Sequence, residues 1–137
     1  MRVLALDLGS KRIGIAVSDR SGTIASPLTV LQRSGRTAAD HARIKEIVEE
    51  EEAVLVVVGL PLSMNGSTGK AAQAAIAEAA ALATVVGVPV ETFDERRTTV
   101  TADRILLDAG KRAPERRTVI DKVAAAVILQ TWLDGRG

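Results

Sequence analysis

The sequence predicts one mixed α/β domain: an antiparallel three-stranded meander feeding into β–α units, closed as a five-stranded mixed sheet with helices on both faces. Three observations predict it. Short apolar runs separated by turn formers fill the first 31 residues; two later apolar runs alternate with helical stretches; and the chain ends in a long segment that is apolar nearly all round.

Val3 to Leu6 is short, apolar and uncapped, which is the signature of a strand buried on both faces. Gly9 and Ser10 turn the chain into a second alternating run, Ile13 to Val17. Ser21-Gly22 turns it again into Thr23 to Leu31. Pro27 cannot donate to a ladder, so this third strand belongs on the sheet edge, with Val3 to Leu8 as the inner member of the meander. Thr37 with Asp40 three residues later predicts a capping box, and Ile44, Ile47 and Val48 make one apolar stripe at helical spacing. His41 lies on this helix, where the lack of cysteine and of a second histidine points to an exposed or half-buried residue rather than a ligand.

Ala53 to Val58 is an uninterrupted apolar run closed by Gly59 and Pro61, as a central strand covered on both faces would be. The helix expected over Gly69 to Val86 is mostly alanine and so packs close to the sheet. Gly87-Val88-Pro89 ends it before a fifth strand, Val88 to Phe93. A shorter helix is expected over Thr98 to Ala109, closed by Gly110. Lys111 to Arg117 is charged and proline-broken, hence a mobile loop, and the last helix spans Thr118 to Leu133, with Asp121 and Lys122 its only interruptions before Gln130.

Composition narrows the function. A chain of 137 residues is one domain, residues 1–137, long enough to bury roughly two-thirds of its unfolded surface. Zero cysteines exclude a disulfide scaffold and thiolate chemistry; with no basic stretch ahead of an apolar leader and no apolar run of membrane-spanning length, the expectation is a cytoplasmic protein with no membrane partner. A net charge of +1 leaves any phosphate contact to local clusters such as Lys111, Arg112, Arg116 and Arg117. The acids Glu49 to Glu52 read as a solvated helix end. One Trp, one Phe and no Tyr argue against an RNA module that stacks bases on aromatic side chains, and Trp132 leaves core or homodimer interface open.

The chemistry-bearing residues are those a parallel sheet would gather. Asp7 interrupts the first apolar run, and a carboxylate there must be ion-paired, hydrogen-bonded or bound to a cation; Lys11 and Arg12 offer the ordinary ion pair, a metal the functional one. Ligands bind outside the carboxyl ends of parallel strands, where the chain places Asp7 and Gly9, the stretch Gly59 to Gly69, and Asp94-Glu95-Arg96-Arg97. Adjacent residues of an extended chain face opposite ways, so Asp94 and Glu95 do not bind the same ion. Ser63, Asn65 and Ser67 form either a plain turn or, ahead of a helix N-terminus, a phosphate seat. Lys11, Arg12, Arg96 and Arg97 are candidates for the same work.

These motifs resemble a known family. Asp7-Leu8-Gly9 with Arg12, Gly14, Ala16, Ser18 and Asp19, then Gly59-Leu60-Pro61 with Gly66, then Asp94-Glu95-Arg96 with Thr98-Thr99, and finally Asp121 with Ala124-Ala125, Ile128-Leu129-Gln130 and Leu133, together resemble the YqgF/RuvX family over nearly the whole chain. The resemblance implies an RNase H-like fold, a metal-dependent nuclease of the Holliday-junction-resolvase-like group, and a role in maturing the 5′ end of pre-16S ribosomal RNA. It places Asp7, Glu95 and Asp121 where the family's acidic triad stands. One departure from wider RNase H habit is that the second carboxylate usually ends strand four, whereas here that strand ends in Gly59-Leu60-Pro61.

Such a triad suits phosphodiester hydrolysis, because one or two Mg²⁺ or Mn²⁺ ions held by carboxylates activate water and stabilise the leaving oxygen. The bland alternatives are an Asp121 that completes a capping box with Thr118 and a Glu95 paired with its neighbouring arginines. Two functional rivals also stand: a resolvase acting on branched DNA, and a non-catalytic module that grips structured RNA or the ribosome. Asp7-Leu8-Gly9-Ser10 also resembles the phosphate loop of actin-like and sugar-kinase ATPases, but those clamp nucleotide between two such domains, and this length supplies one.

Overall fold

The computed structural model describes residues 1–62, 68–97 and 113–135, with side chains described at all of these except 97 and 113–122. The strands are β1 (Arg2–Leu8), β2 (Arg12–Ser18), β3 (Ala25–Gln32), β4 (Ala53–Leu60) and β5 (Val90–Asp94); the helices are α1 (Thr37–Glu50), α2 (Lys70–Ala83) and α3 (Ala113–Gly135), and a single 3₁₀ turn spans Glu95–Arg97. The expected helix over Thr98 to Ala109 lies outside the described residues, as do Ser63, Asn65 and Ser67.

One five-stranded sheet carries the chain in the order β3-β2-β1-β4-β5. β1 runs antiparallel to β2 and parallel to β4, so Leu4 lies opposite Val17 on one side and Val56 on the other. β4 and β5 are parallel, with Leu60 opposite Asp94 at their carboxyl ends. Pro27 sits on the outer strand as its missing N–H requires, beside a register shift that skips from the Ile15–Thr29 pair to the Ala16–Pro27 pair.

Strand alternation sorts the core into two layers. Leu4, Leu6, Ile13, Ile15, Val56 and Val58 face α1 and α2, which bury Ile44, Ile47, Val48, Ala79 and Leu82 against them. Val3, Ala5, Ala16, Val57 and Phe93 face α3, which contributes Ala125, Ala126, Ile128, Leu129 and Leu133. The alanine stripe Ala72, Ala75 and Ala79 is buried against the sheet side, in keeping with the close packing that small residues allow. Gln130 of α3 completes the start of β3: its amide nitrogen donates to the Thr23 carbonyl and its amide oxygen accepts from the Ala25 N–H, each at 2.9 Å, supplying hydrogen bonds at an outer strand. Trp132 packs on the α3 layer and donates its indole N–H to Glu91. No described helix is long and apolar enough to cross a membrane.

Three expectations are corrected. The last helix begins at Ala113, so residues 113–117 are helical rather than loop; Pro114 falls in the first turn, where its missing N–H would have no helical partner anyway. Lys111 and Arg112 lie outside the described residues. The capping box of α1 does not form: Arg36 is the N-cap and supplies no side-chain bond, while Asp40 reaches back to accept the Ser34 N–H at 3.1 Å. That bond closes the β3–α1 connection and, with the Ser34 hydroxyl, holds the Asp40 carboxyl below its ordinary value. His41 is buried, not exposed, and is hydrogen-bonded to Glu78 of α2.

Candidate active site

Asp7 is the last-but-one residue of β1, on the α3 side of the central strand because it alternates with Val3 and Ala5. Glu95 follows the last residue of β5, two residues beyond buried Phe93. Between β1 and β5 lies only β4, and β4 ends in Gly59-Leu60. A Cβ built at Gly59 would stand 3.0 Å from Glu95 Cγ, 3.1 Å from its carboxyl carbon and 2.6 Å from Ile128 Cδ1. The glycine therefore vacates the seat in which the Glu95 side chain lies, under Ile128 of α3. This is the physical content of the departure in sequence: a carboxyl from β5 occupies the space above the end of strand four. A glycine inside an apolar strand signals such a close approach.

Burial pushes the Glu95 carboxyl up to about 7, and the charges of Asp7 and Asp94 push it the same way. Crowded carboxylates resist joint ionisation, as the sequence leads one to expect of this site. Asp94 is held differently. It accepts the Arg96 main-chain N–H at 2.9 Å and the Arg96 guanidinium through Nε and Nη2, with the shortest contact 2.6 Å. Thus the local ion pair foreseen for this stretch uses Asp94 and Arg96, and the two neighbouring acids do separate jobs.

Asp121 belongs to α3, with its side chain outside the described ones. The direction of α3 is nonetheless defined by its contacts. Gln130 and Trp132 meet the amino-terminal ends of β3 and β5, whereas Ile128 meets Gly59 at the carboxyl end of β4. The helix therefore runs antiparallel to the parallel strands, and the backbone of Asp121 lies two turns further toward the carboxyl end than Ile128. Arg116 and Arg117 precede it on the same helix, and Arg97 closes the 3₁₀ turn. Lys11 is exposed in the β1–β2 turn, and Arg12 is half-buried at the start of β2. Among the described residues no three histidine or acidic side chains are grouped so as to hold a metal ion by themselves.

A network that sequence reasoning missed stands behind β1, on the α1–α2 side. Arg33, just past β3, donates both terminal nitrogens to Glu78 of α2 at 3.0 and 2.8 Å, and His41 Nε2 lies 2.8 Å from the same carboxylate. Burial raises the Glu78 carboxyl, but the hydrogen bonds from Arg33 and His41 outweigh it and hold the group below its ordinary value. Arg33 Nε also donates to the Gly9 carbonyl at 2.6 Å. An open cleft of about 710 Å³ adjoins this network, walled by Gly9, Lys11, Thr37, Ala71, Ala74 and Ala75. No periodicity pairs residues 33, 41 and 78; they come from the end of β3, from α1 and from α2, and meet because both helices lie on the same face of the sheet.

A mixed five-stranded sheet in this order, with acids at the carboxyl ends of its parallel strands, defines an RNase H-like domain. Its fold is that of Thermus thermophilus RuvC, matched with a TM-score of 0.64 at 20% identity over 99% of this chain and 96% of that one. The structure of T. thermophilus RuvC in complex with a Holliday junction substrate matches equally, at 21% identity. The family model described as RuvX, Holliday junction resolvase, matches residues 1–135, and the chain belongs to that family. Among curated relatives, proteins of Moorella thermoacetica and Pelotomaculum thermopropionicum are 50% and 46% identical over the whole of this chain, covering 97% and 89% of their own lengths. Both are provisionally named pre-16S rRNA nucleases.

Proposed function

We propose that the protein is a metal-dependent nuclease that hydrolyses phosphodiesters of structured nucleic acid, with the 5′ region of pre-16S ribosomal RNA as its substrate. The observation that carries the reading is the seating of Glu95 over Gly59 beside Asp7, at the carboxyl ends of parallel strands in a RuvX-family chain. The family's relatives support the RNA target by their names.

The donor set fits Mg²⁺ or Mn²⁺. It offers carboxylate oxygens and no thiol, and a carboxyl that holds its proton up to about pH 7 beside a second acid gains most from a cation. Asp7, Glu95 and Asp121 would hold it. The chemistry supplied at such a site is activation of a water and neutralisation of charge on the leaving oxygen. The chain's own residues do the rest. On joining that ligand set Glu95 would give up its proton, Ile128 and Gly59 fix where its side chain stands, and Lys11, Arg12, Arg97, Arg116 and Arg117 would supply cations for the phosphate backbone.

The test is cleavage of a pre-16S 5′ fragment and of a four-way DNA junction by one preparation, with Mn²⁺, Mg²⁺ or EDTA. Cleavage of the RNA with either ion and none in EDTA is expected. The family description favours the junction as the second reading, which preferential cleavage of that DNA would select. Cation binding with cleavage of neither substrate would point to a non-catalytic RNA-binding module.

A further inference from the structure

The Arg33 side chain sits where three elements meet. Its main-chain N–H donates to the Lys11 carbonyl at 2.9 Å, and its Nε donates to the Gly9 carbonyl. One residue therefore grips the β1–β2 turn at two points. The turn itself has no slack: the Gly9 N–H donates to the Arg12 carbonyl at 2.9 Å, and a Cβ on Gly9 would stand 2.6 Å from that oxygen. The other edge of the guanidinium is consumed by the two-pronged pair with Glu78, whose second partner is the buried His41. The Arg33–Glu78 pair is partly buried and only His41 is fully so; desolvation offsets part of the attraction, which makes the pair a modest source of stability. What the arrangement does secure is position, because a planar guanidinium held on both edges fixes the Gly9 carbonyl relative to α1 and α2.

Gly9 follows Asp7 by two residues, and Asp7 is paired with Gly14 in the β1–β2 ladder. We propose that Arg33 is a positioning residue: held by Glu78 and His41, it fixes the turn that follows β1 and so sets the aim of Asp7 toward Glu95. The network lies on the α1–α2 side of β1, opposite the α3 side that Asp7 faces, and among the described residues it is linked to the strand by the Arg33 grip on the backbone of this turn. Its consequence for activity rests on the nuclease reading above; its consequence for the turn does not.

The variants are Arg33→Gln, Arg33→Lys and Glu78→Gln, the last keeping shape while weakening the pair. Amide exchange of residues 9–12 in the metal-free protein should quicken by about tenfold in each, with the exchange of Leu4 and Val57 in the sheet centre unchanged. Mn²⁺ affinity, measured by calorimetry, should weaken by about 10- to 100-fold. On a cleaved substrate kcat should fall by a similar factor while KM stays within about threefold. Arg33→Lys should not rescue, since one ammonium cannot reach Gly9 and both Glu78 oxygens together. If the variants merely melt earlier, with turn exchange, Mn²⁺ affinity and kcat of the folded protein unchanged, the network is structural and the proposal is overturned. If wild type neither binds Mn²⁺ nor cleaves, the nuclease reading fails, and the exchange of residues 9–12 still decides whether Arg33 holds the turn. Should Arg33→Gln not fold, Glu78→Gln carries the same test.

Discussion

Replacing Glu95 by Gln probes the crowded acid site without touching substrate. In the folded, metal-free protein the carboxyl titrates near 7 rather than its ordinary 4.5, with burial the largest cause and Asp7 the next. Its folded value lies above its unfolded one, so between about pH 4.5 and 7 the native state holds a proton that the unfolded chain has released. Stability therefore falls as pH rises through this window and levels off above it. The full difference corresponds to about 3 kcal/mol, and contact of the half-buried group with water reduces that to about 1–2 kcal/mol. Urea denaturation in EDTA should find Glu95→Gln as stable as wild type at pH 4.5 and about 1–2 kcal/mol more stable at pH 8. With Mn²⁺ at about 100 times its Kd the order should reverse, because only the wild type gains about 2.7 kcal/mol from binding. A variant equally or less stable than wild type at pH 8 in EDTA would refute the crowding of Glu95 with Asp7.

Other substitutions test separate parts of the account. Asp7→Asn should leave the metal-free fold intact or somewhat more stable at pH 8 in a thermal melt, since it removes a like charge from Glu95; unfolding of that variant would mark Asp7 as a structural ion-pair partner. Gly59→Ala should cost about 1–3 kcal/mol by overpacking against Glu95 and Ile128 and should lower Mn²⁺ affinity as well, both readable from one titration with thermal melts. Glu52, at φ 56°, is the one non-glycine residue with positive φ among those described, so Glu52→Gly should stabilise by about 0.5–1 kcal/mol in urea without altering activity.

Much of this architecture was legible in the residues because it rests on period and punctuation. The apolar runs mark all five strands: β1, β2 and β4 extend beyond them by a residue or two, whereas β3 and β5 begin two residues later than Thr23 and Val88 and end one residue later. Pro27 identified an edge, and the closing apolar helix identified the layer that covers one face. What could not be read depends on distant partners. Asp40 looked like half of a capping box because the spacing to Thr37 fits one, yet the Ser34 N–H lay closer to its carboxylate. His41 reads as exposed or half-buried because nothing in its neighbourhood of sequence predicts Glu78. Pro114 reads as a break in the sequence, although a proline serves equally in a first helical turn. The acids are legible as a list, and alternation says only that Asp94 and Glu95 do not share an ion; the choice of Glu95 comes from the family resemblance, and its seat above Gly59 is a fact of packing between β4, α3 and the end of β5.

The central claim is that Asp7, Glu95 and Asp121 together hold the cation that drives hydrolysis while other residues bind the nucleic acid. The measurement is single-turnover cleavage of the pre-16S 5′ fragment in Mn²⁺ by wild type, Asp7→Asn, Glu95→Gln and Asp121→Asn, with substrate Kd measured on the same samples in Ca²⁺. The rate should fall by at least about 100-fold in each variant, with Kd within about threefold of wild type. Retention of the wild-type rate in any one of the three, or cleavage by wild type that survives EDTA, would contradict the claim.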